Sequence, residues 1–251
     1  METKQSKIAL VTGGGRDIGR EVSIKLALSG YKICIVYHND EESAVETVNT
    51  IKNSGGDAFC IRGNMTIQKD VVKTIEACIA EYGPQIDTLV NVAGGLLARK
   101  VLADMVEDFW DQVIDLNLKS VFLVSKAAVP YMNAGSTIVN FSSQAARDGG
   151  GFGALAYATA KGGVLTFTRG LAKELGPKGI RVNCVSPGMI NTSFHDTFTK
   201  PEVRKNVAAA APLRREGKAE EIADLVLYLA GESSSYITGE SIEINGGTYF
   251  A

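Results

Sequence analysis

Tyr157 and Lys161 are the side chains of this sequence best suited to act on a substrate together. Residues four apart on a helix share a face, and the stretch from Tyr157 onward has a helical pattern. An ammonium held beside a phenol favours the phenolate and lowers the phenol pKa from its reference near 10. Tyr157 is therefore a candidate proton donor to a substrate oxygen. The spacing alone arises readily by chance, and a helix face with a snorkelling lysine would look the same. Support has to come from the rest of the chain. Immediately upstream, the apolar run Thr137 to Phe141 ends in the hydroxyls Ser142 and Ser143, and a loop rich in glycine leads from there into the helix.

A second chemical element opens the chain. The apolar run Ile8 to Thr12 passes into Gly13, Gly14, Gly15, Arg16, Asp17, Ile18 and Gly19. Glycines after a first strand let the backbone approach a diphosphate, and the N-terminus of the following helix offers free N–H groups to its oxygens. Dinucleotide binding is a stronger reading of this turn than a merely tight connection. Tyr37 lies eighteen residues beyond Gly19, where an acid would bind the adenosine ribose, and is followed by His38, Asn39 and Asp40. Without a carboxylate at Tyr37 nothing repels a 2′-phosphate, and Arg16 and His38 can supply positive charge. The cofactor reading favours NADP(H), while Asp40 keeps NAD(H) open.

These residues need a scaffold, and the chain supplies one. Short apolar runs alternate with helical patterns, which predicts an α/β fold with a mostly parallel sheet and helices on both faces. Strands are expected over residues 8–12, 33–37, 58–62, 88–92, 137–141, 181–185 and 241–244. Helices are expected over residues 18–29, 41–54, 69–82, 106–134, 157–175 and 219–230. No linker or repeat interrupts the rhythm, so residues 1–251 read as a single domain. Asn117 is either a satisfied polar group inside the fourth helix or a kink in it, and Trp110 is read as packing. The apolar circumference around Val121, together with Gly162 and Gly163, predicts contact with a partner subunit.

The chain has 251 residues, 45% of them hydrophobic and 22% charged, with a net charge of −2 and no lysine- or arginine-rich block. That argues against nucleic acid as a partner. No apolar stretch is long enough to span a membrane and Met1 to Lys7 lacks a signal-like apolar core, so a cytoplasmic location is expected. Cys34, Cys60, Cys78 and Cys184 lack metal-type spacing and read as free thiols, three of them buried. With only His38 and His195 as histidines, no metal site is expected.

As a set, the motifs resemble the short-chain dehydrogenase/reductase family over nearly the whole chain: Thr12, Gly13 and Gly19; Asn91, Ala93 and Gly94; Asn117; Ser143; Tyr157 and Lys161; Asn183, Pro187, Gly188 and Thr192; Gly239, Asn245, Gly246 and Gly247. The resemblance implies a Rossmann fold of seven parallel strands, a homotetramer, and hydride transfer between a nicotinamide and a small-molecule carbonyl or alcohol. It makes Tyr157 the acid/base and Lys161 both the ribose anchor and the cation beside it. Ser143 would hold the substrate oxygen, with Ser142 as structural support, and Asn117 would place a water in a proton relay. It also adds Asn64, Met65, Asn91, Ala93, Gly94, Pro187, Gly188, Ile190 and Thr192 to the cofactor-binding residues of the glycine turn and of Tyr37 to Asn39.

The sequence departs from the family pattern at Asp17, which stands where the middle glycine is usual and reads as the cap of the helix starting at Ile18. Asn64 with Met65, and Val92, are further departures. Within the family, the stretches 93–100, 149–154, 191–196 and 236–249 look like bacterial reductases of the alginate-derived keto sugar acid 4-deoxy-5-hexoseulose uronate. 3-Oxoacyl-carrier-protein reductases and sugar or polyol dehydrogenases are the alternatives, and a non-catalytic dinucleotide-binding protein is the alternative from another class. The substrate side is expected to involve Gly95, Arg99, Gln144, Arg147, Phe152, Phe194 and His195, with Lys100 nearby. Arg99, Arg147 and His195 would give it an anion-binding character. Residues 189–212 form a lid that closes over it.

Overall fold

Strands buried on both faces must be apolar at every position, and β1 (Ile8–Thr12) shows the consequence: all five of its residues are buried. The computed structural model describes residues 6–250. Alternate side chains of β1 enter different cores. Ala9 and Val11 pack with Val22 and Leu26 of α1 (Asp17–Leu28), whereas Ile8 and Leu10 pack on the opposite face of the sheet. This period of two, apolar in both directions, is what a parallel sheet covered on both sides requires.

The chain continues through β2 (Lys32–Tyr37), α2 (Glu41–Asn53), β3 (Asp57–Arg62), α3 (Gln68–Tyr82) and β4 (Thr88–Asn91). Next come α4 (Glu107–Ile114), α5 (Ser120–Ala128), β5 (Thr137–Phe141), the short α6 (Ala145–Asp148) and the long α7 (Leu155–Leu175). It ends with β6 (Arg181–Pro187), α8 (Ser193–Phe198), α9 (Pro201–Ala210), α10 (Ala219–Ala230) and β7 (Ser241–Ile244). All seven strands are parallel, in the order β3-β2-β1-β4-β5-β6-β7. The seven-stranded Rossmann arrangement expected from the sequence is thus the fold. Its order reverses between β1 and β4, where a crevice opens at the carboxyl ends of the strands. The Thr12 hydroxyl accepts a hydrogen bond from the Ala93 amide across that crevice, at 3.2 Å.

The stretch 106–134 is not one helix. Between α4 and α5 the backbone widens into a π segment, Asp115–Lys119. Two side chains there take up backbone carbonyls: the Asn117 amide donates to Val113 O at 2.9 Å and the Ser120 hydroxyl to Leu116 O at 2.6 Å. Such back-bonding disturbs the helical ladder, and Pro130 then ends the run within the 3-10 turn Val129–Tyr131. The close approach predicted at Gly163 is made within the chain, because a Cβ there would lie 2.7 Å from a methyl of Leu118. No helix among the described residues is long and apolar enough to cross a membrane.

The turn after β1 leaves no room for a side chain at Gly19, where a Cβ would lie 1.9 Å from the Gly13 carbonyl oxygen. Gly19→Ala should therefore force the turn open and destabilise the protein by about 1–3 kcal/mol or more. Urea unfolding of the variant should show a clearly lower midpoint than the parent; an unchanged midpoint would mean that the turn is softer than its packing implies.

Candidate active site

β5 delivers the first reactive groups. It ends at Phe141, and the next two hydroxyls diverge. Ser142 is buried and donates to Lys161 O at 2.8 Å, tying β5 to α7. Ser143 turns into the cavity, its Oγ held by the Ala145 amide at 3.2 Å. The backbone thus separates a structural hydroxyl at Ser142 from one that faces the cavity at Ser143.

Helix α7 carries Tyr157 and Lys161 on the face turned toward β5. The Lys161 side chain is 3% exposed and its Nζ donates to Phe141 O at 2.8 Å. Burial pulls the Lys161 ammonium down to about 8. For Tyr157 the expected lowering by Lys161 is not the dominant effect. Burial pushes the phenol up, and a hydrogen bond with Ser143 acts in the opposite direction. The reason is geometric: Lys161 Nζ stands 5.7 Å from the Tyr157 ring centre and is itself engaged by a carbonyl.

The loop after β4 closes over these groups. A Cβ at Gly94 would lie 2.7 Å from Asn117 Oδ1 and 3.1 Å from Lys161 Nζ. Asn117 is fully buried. Its Oδ1 accepts from the Gly95 amide at 3.0 Å, and its Nδ2 donates to Gly95 O at 2.8 Å as well as to Val113 O. Both hydrogens of the side-chain amide are spent, so it braces the loop, and a water relay would have to use another atom of that residue. Asn117 is thus both the satisfied polar group and the centre of the kink.

A cavity of about 1060 Å³ runs along the carboxyl edge of the sheet past these residues. One end is lined by Gly13, Gly15, Arg16, Asp17, Ile18 and Gly19, and then by Tyr37, His38 and Asn39. Asn64, Met65, Ala93, Gly94, Pro187, Gly188, Ile190 and Thr192 line it as expected. Asn91 does not: it is buried beneath the floor, its amide donating to Asn140 Oδ1 at 2.9 Å. The glycine turn fits a dinucleotide, because Gly13, Gly15 and Gly19 present bare backbone and no side chain caps the start of α1.

The reading of Asp17 as the cap of α1 is corrected. Its carboxylate reaches across the cavity mouth and accepts from the Ser193 amide at 2.9 Å and the Ser193 hydroxyl at 2.5 Å.

At the other end, Gly95, Arg99, Gln144, Phe194 and His195 line the cavity with Tyr157. The Phe194 ring lies 6.0 Å from that of Tyr157. Arg147, Phe152 and Lys100 do not line it. Arg147 is turned by α6 onto β7, where its Nε donates to Glu243 Oε1 at 3.0 Å. The Phe152 ring is 88% exposed; only its carbonyl faces inward, accepting from Arg99 Nη1 at 3.0 Å. Nearness in sequence to Ser143 misplaced both. The sequence reading missed Leu116 on the wall and placed Ser193, Val203 and Val207 only within the lid segment, without naming them. The apolar positions of a lid helix were the available signal for the two valines. Among the described residues, no cluster of three His, Cys, Asp or Glu side chains is placed to hold a metal ion.

A cavity at the strand-order reversal, with Ser143, Tyr157 and Lys161 at its centre, defines a dinucleotide-dependent oxidoreductase fold class, and comparison with known proteins agrees. The family model described as enoyl-(acyl carrier protein) reductase matches residues 13–249, and the chain belongs to the short-chain dehydrogenase/reductase family. It is 38% identical to the 3-oxoacyl-[acyl-carrier-protein] reductase of Staphylococcus aureus, over 98% of this chain and 99% of that one. A short-chain dehydrogenase/reductase from Serratia marcescens superposes with a TM-score of 0.91 at 32% identity, covering 97% of this chain and 98% of that one. An NADH-dependent reductase described as responsible for alginate metabolism superposes with a TM-score of 0.90 at 30% identity, covering 98% of each chain. The protein is an NAD(P)-dependent oxidoreductase acting on a carbonyl or its alcohol.

Two outcomes follow from the buried lysine. Gly94→Ala should displace Asn117 and Lys161 and lower kcat/KM on the order of tenfold to a hundredfold, the usual cost of a small misplacement. An unchanged kcat/KM would show that the three groups move freely. The native value of Lys161 near 8 lies below the 10.5 of a free amine, so the folded state holds this proton less well than the unfolded chain. The cost of burying the ammonium is full below about pH 8 and fades as pH climbs toward 10.5. Lys161→Met removes that titration. Its stability advantage over the parent, measured by urea unfolding, should shrink by about 2 kcal/mol between roughly pH 7 and 9.5; a constant difference would contradict the burial.

Proposed function

We propose that the protein is a reductase of a small keto sugar acid of the 4-deoxy-L-erythro-5-hexoseulose uronate type, using NADPH in preference to NADH. The bound coenzyme supplies a hydride to the carbonyl carbon. Tyr157 gives its phenolic proton to the carbonyl oxygen, and Ser143 holds that oxygen in place. A protonated phenol is the donor that a developing alkoxide needs, and burial pushes the Tyr157 phenol further up. Lys161 anchors the coenzyme ribose and keeps a positive charge beneath the phenol. Phe194 and Phe198 of the lid exclude water from the transfer.

The observation that carries the substrate reading is Arg99. Its Nε donates to Phe198 O and its Nη1 to Phe152 O, both at 3.0 Å, while its Nη2 has no partner among the described residues. A guanidinium fixed in this way on the cavity wall is organised in advance for a carboxylate. The alginate-metabolism neighbour supports the same substrate class. The 3-oxoacyl thioester reading is the second, supported by the Staphylococcus aureus relative.

For the coenzyme, the support is the state of Asp40. Its two carboxylate oxygens are taken by the Ser43 amide at 3.1 Å and the Ser43 hydroxyl at 2.9 Å, where it caps α2. Arg16 stands beside it, largely exposed, at the end of the cavity where a 2′-phosphate would lie. Exposed Leu102, Val106 and Phe122 near α4 and α5 support the homotetramer that the family likeness implies.

Initial rates should be compared for the uronate keto acid and an acetoacetyl thioester, each with NADPH and NADH. The keto acid with NADPH should give the highest kcat/KM, and Arg99→Ala should cost it about one to two decades while sparing a neutral ketone. A preference for the thioester would select the second reading, and a preference for NADH would overturn the assignment at Asp40.

A further inference from the structure

The turn after β1 carries a carboxylate where the coenzyme-binding role calls for none. Asp17 sits at φ +48°, a left-handed conformation that aspartate tolerates better than most residues but that glycine adopts freely. It also lines the part of the cavity that receives the negatively charged diphosphate. Both features count against an aspartate unless its carboxylate has work elsewhere. Its two oxygens are held by Ser193, one by the amide at 2.9 Å and the other by the hydroxyl at 2.5 Å, across 176 residues of sequence.

Ser193 is the first residue of lid helix α8, whose N-terminal amides need acceptors. Thr192, at the cap position, does not supply one; its hydroxyl donates to Ile190 O at 3.2 Å. Asp17 caps the lid helix from a different element. Phe194, the next residue, is the lid side chain that packs against Tyr157. The rest of the lid is fastened by other contacts, which also reach the later part of α8: Arg204 of α9 pairs with Glu216 and with Asp196 of α8 and donates to Asn191 Oδ1 at 2.8 Å, and Arg99 holds Phe198 O.

We infer that Asp17 is a positioning residue that latches the inner end of the lid onto the coenzyme-binding turn, holding Phe194 against Tyr157 and slowing release of bound coenzyme. Both oxygens are engaged by Ser193. The inference rests on the coenzyme dependence of the family and not on the identity of the carbonyl substrate.

The test uses the full chain with NADPH and NADH as probes, in the parent and in Asp17→Gly, Asp17→Asn and Ser193→Ala. Glycine suits the backbone at this position and removes the latch without strain. Asparagine also tolerates the left-handed conformation, accepting from the Ser193 amide and donating to its hydroxyl. Coenzyme release, followed by the fluorescence change on displacement, should be on the order of tenfold faster in Asp17→Gly, the scale of lost bonds to a charged acceptor. It should rise less in Ser193→Ala, which keeps the amide bond, and stay within about threefold of the parent in Asp17→Asn. Hydrogen exchange should speed up in Asp17→Gly at the start of α8, at Ser193 and Phe194, and remain unchanged over Pro201–Ala210, which Arg204 holds. Slower release in both Asp17→Gly and Asp17→Asn would mean that the carboxylate only repels the diphosphate, and would overturn the latch. Unaltered release and exchange in Asp17→Gly would overturn it as well. If the parent binds neither coenzyme, the coenzyme reading itself fails, and the exchange measurement still decides whether Asp17 holds the lid.

Discussion

An ammonium group taken out of water at the edge of the sheet is the constraint around which this structure is arranged. Removing a charge from water is costly unless polar atoms replace the lost hydration, and Lys161 is given a single carbonyl, that of Phe141. The neighbourhood is shaped to keep it there. The hydroxyl of Ser142 fixes the turn of α7 that bears the lysine, the absence of a side chain at Gly94 leaves the ammonium its space, and the π segment centred on Asn117 braces the loop above. The same burial that pulls the lysine down pushes the neighbouring phenol up.

The parallel sheet explains why this happens at one place. Because the strand order reverses between β1 and β4, the glycine turn, the loop after β4 and the end of β5 converge on one crevice. The second half of the site is built differently, from a lid tied down by ionic contacts. His195 belongs to that half, and burial, with help from Arg204, holds its imidazole below the usual histidine range.

Much of this was legible in the sequence. Strands buried on both faces leave largely apolar runs, so β1 and β5 were placed to the residue, and β6 was only two residues longer than its apolar core suggested; the half-buried edge strand β7 was placed to the residue as well. The position of Ser143 followed from the end of β5, and Tyr157 and Lys161 were singled out by their spacing on one helix face. What the sequence concealed were side-chain directions decided by distant partners. Arg147 follows Ser143 closely, yet a four-residue helix turns it to Glu243, 96 positions away. Asp17 looked like a local cap because its true partner lies 176 positions downstream. The break in the stretch 106–134 was half legible: Asn117 marked it, but helical periodicity on both sides disguised a π segment as continuity.

The central claim is that Tyr157 and Lys161 work as one acid–base unit on a carbonyl while the coenzyme is held by other contacts as well. Tyr157→Phe tests it most directly, since it removes one hydroxyl and keeps the ring that packs on Phe194. Turnover and coenzyme affinity should be measured on the same preparation. The account predicts that turnover falls by about two decades or more, the scale of general acid catalysis, with coenzyme affinity close to that of the parent. Turnover near the parental rate would contradict it.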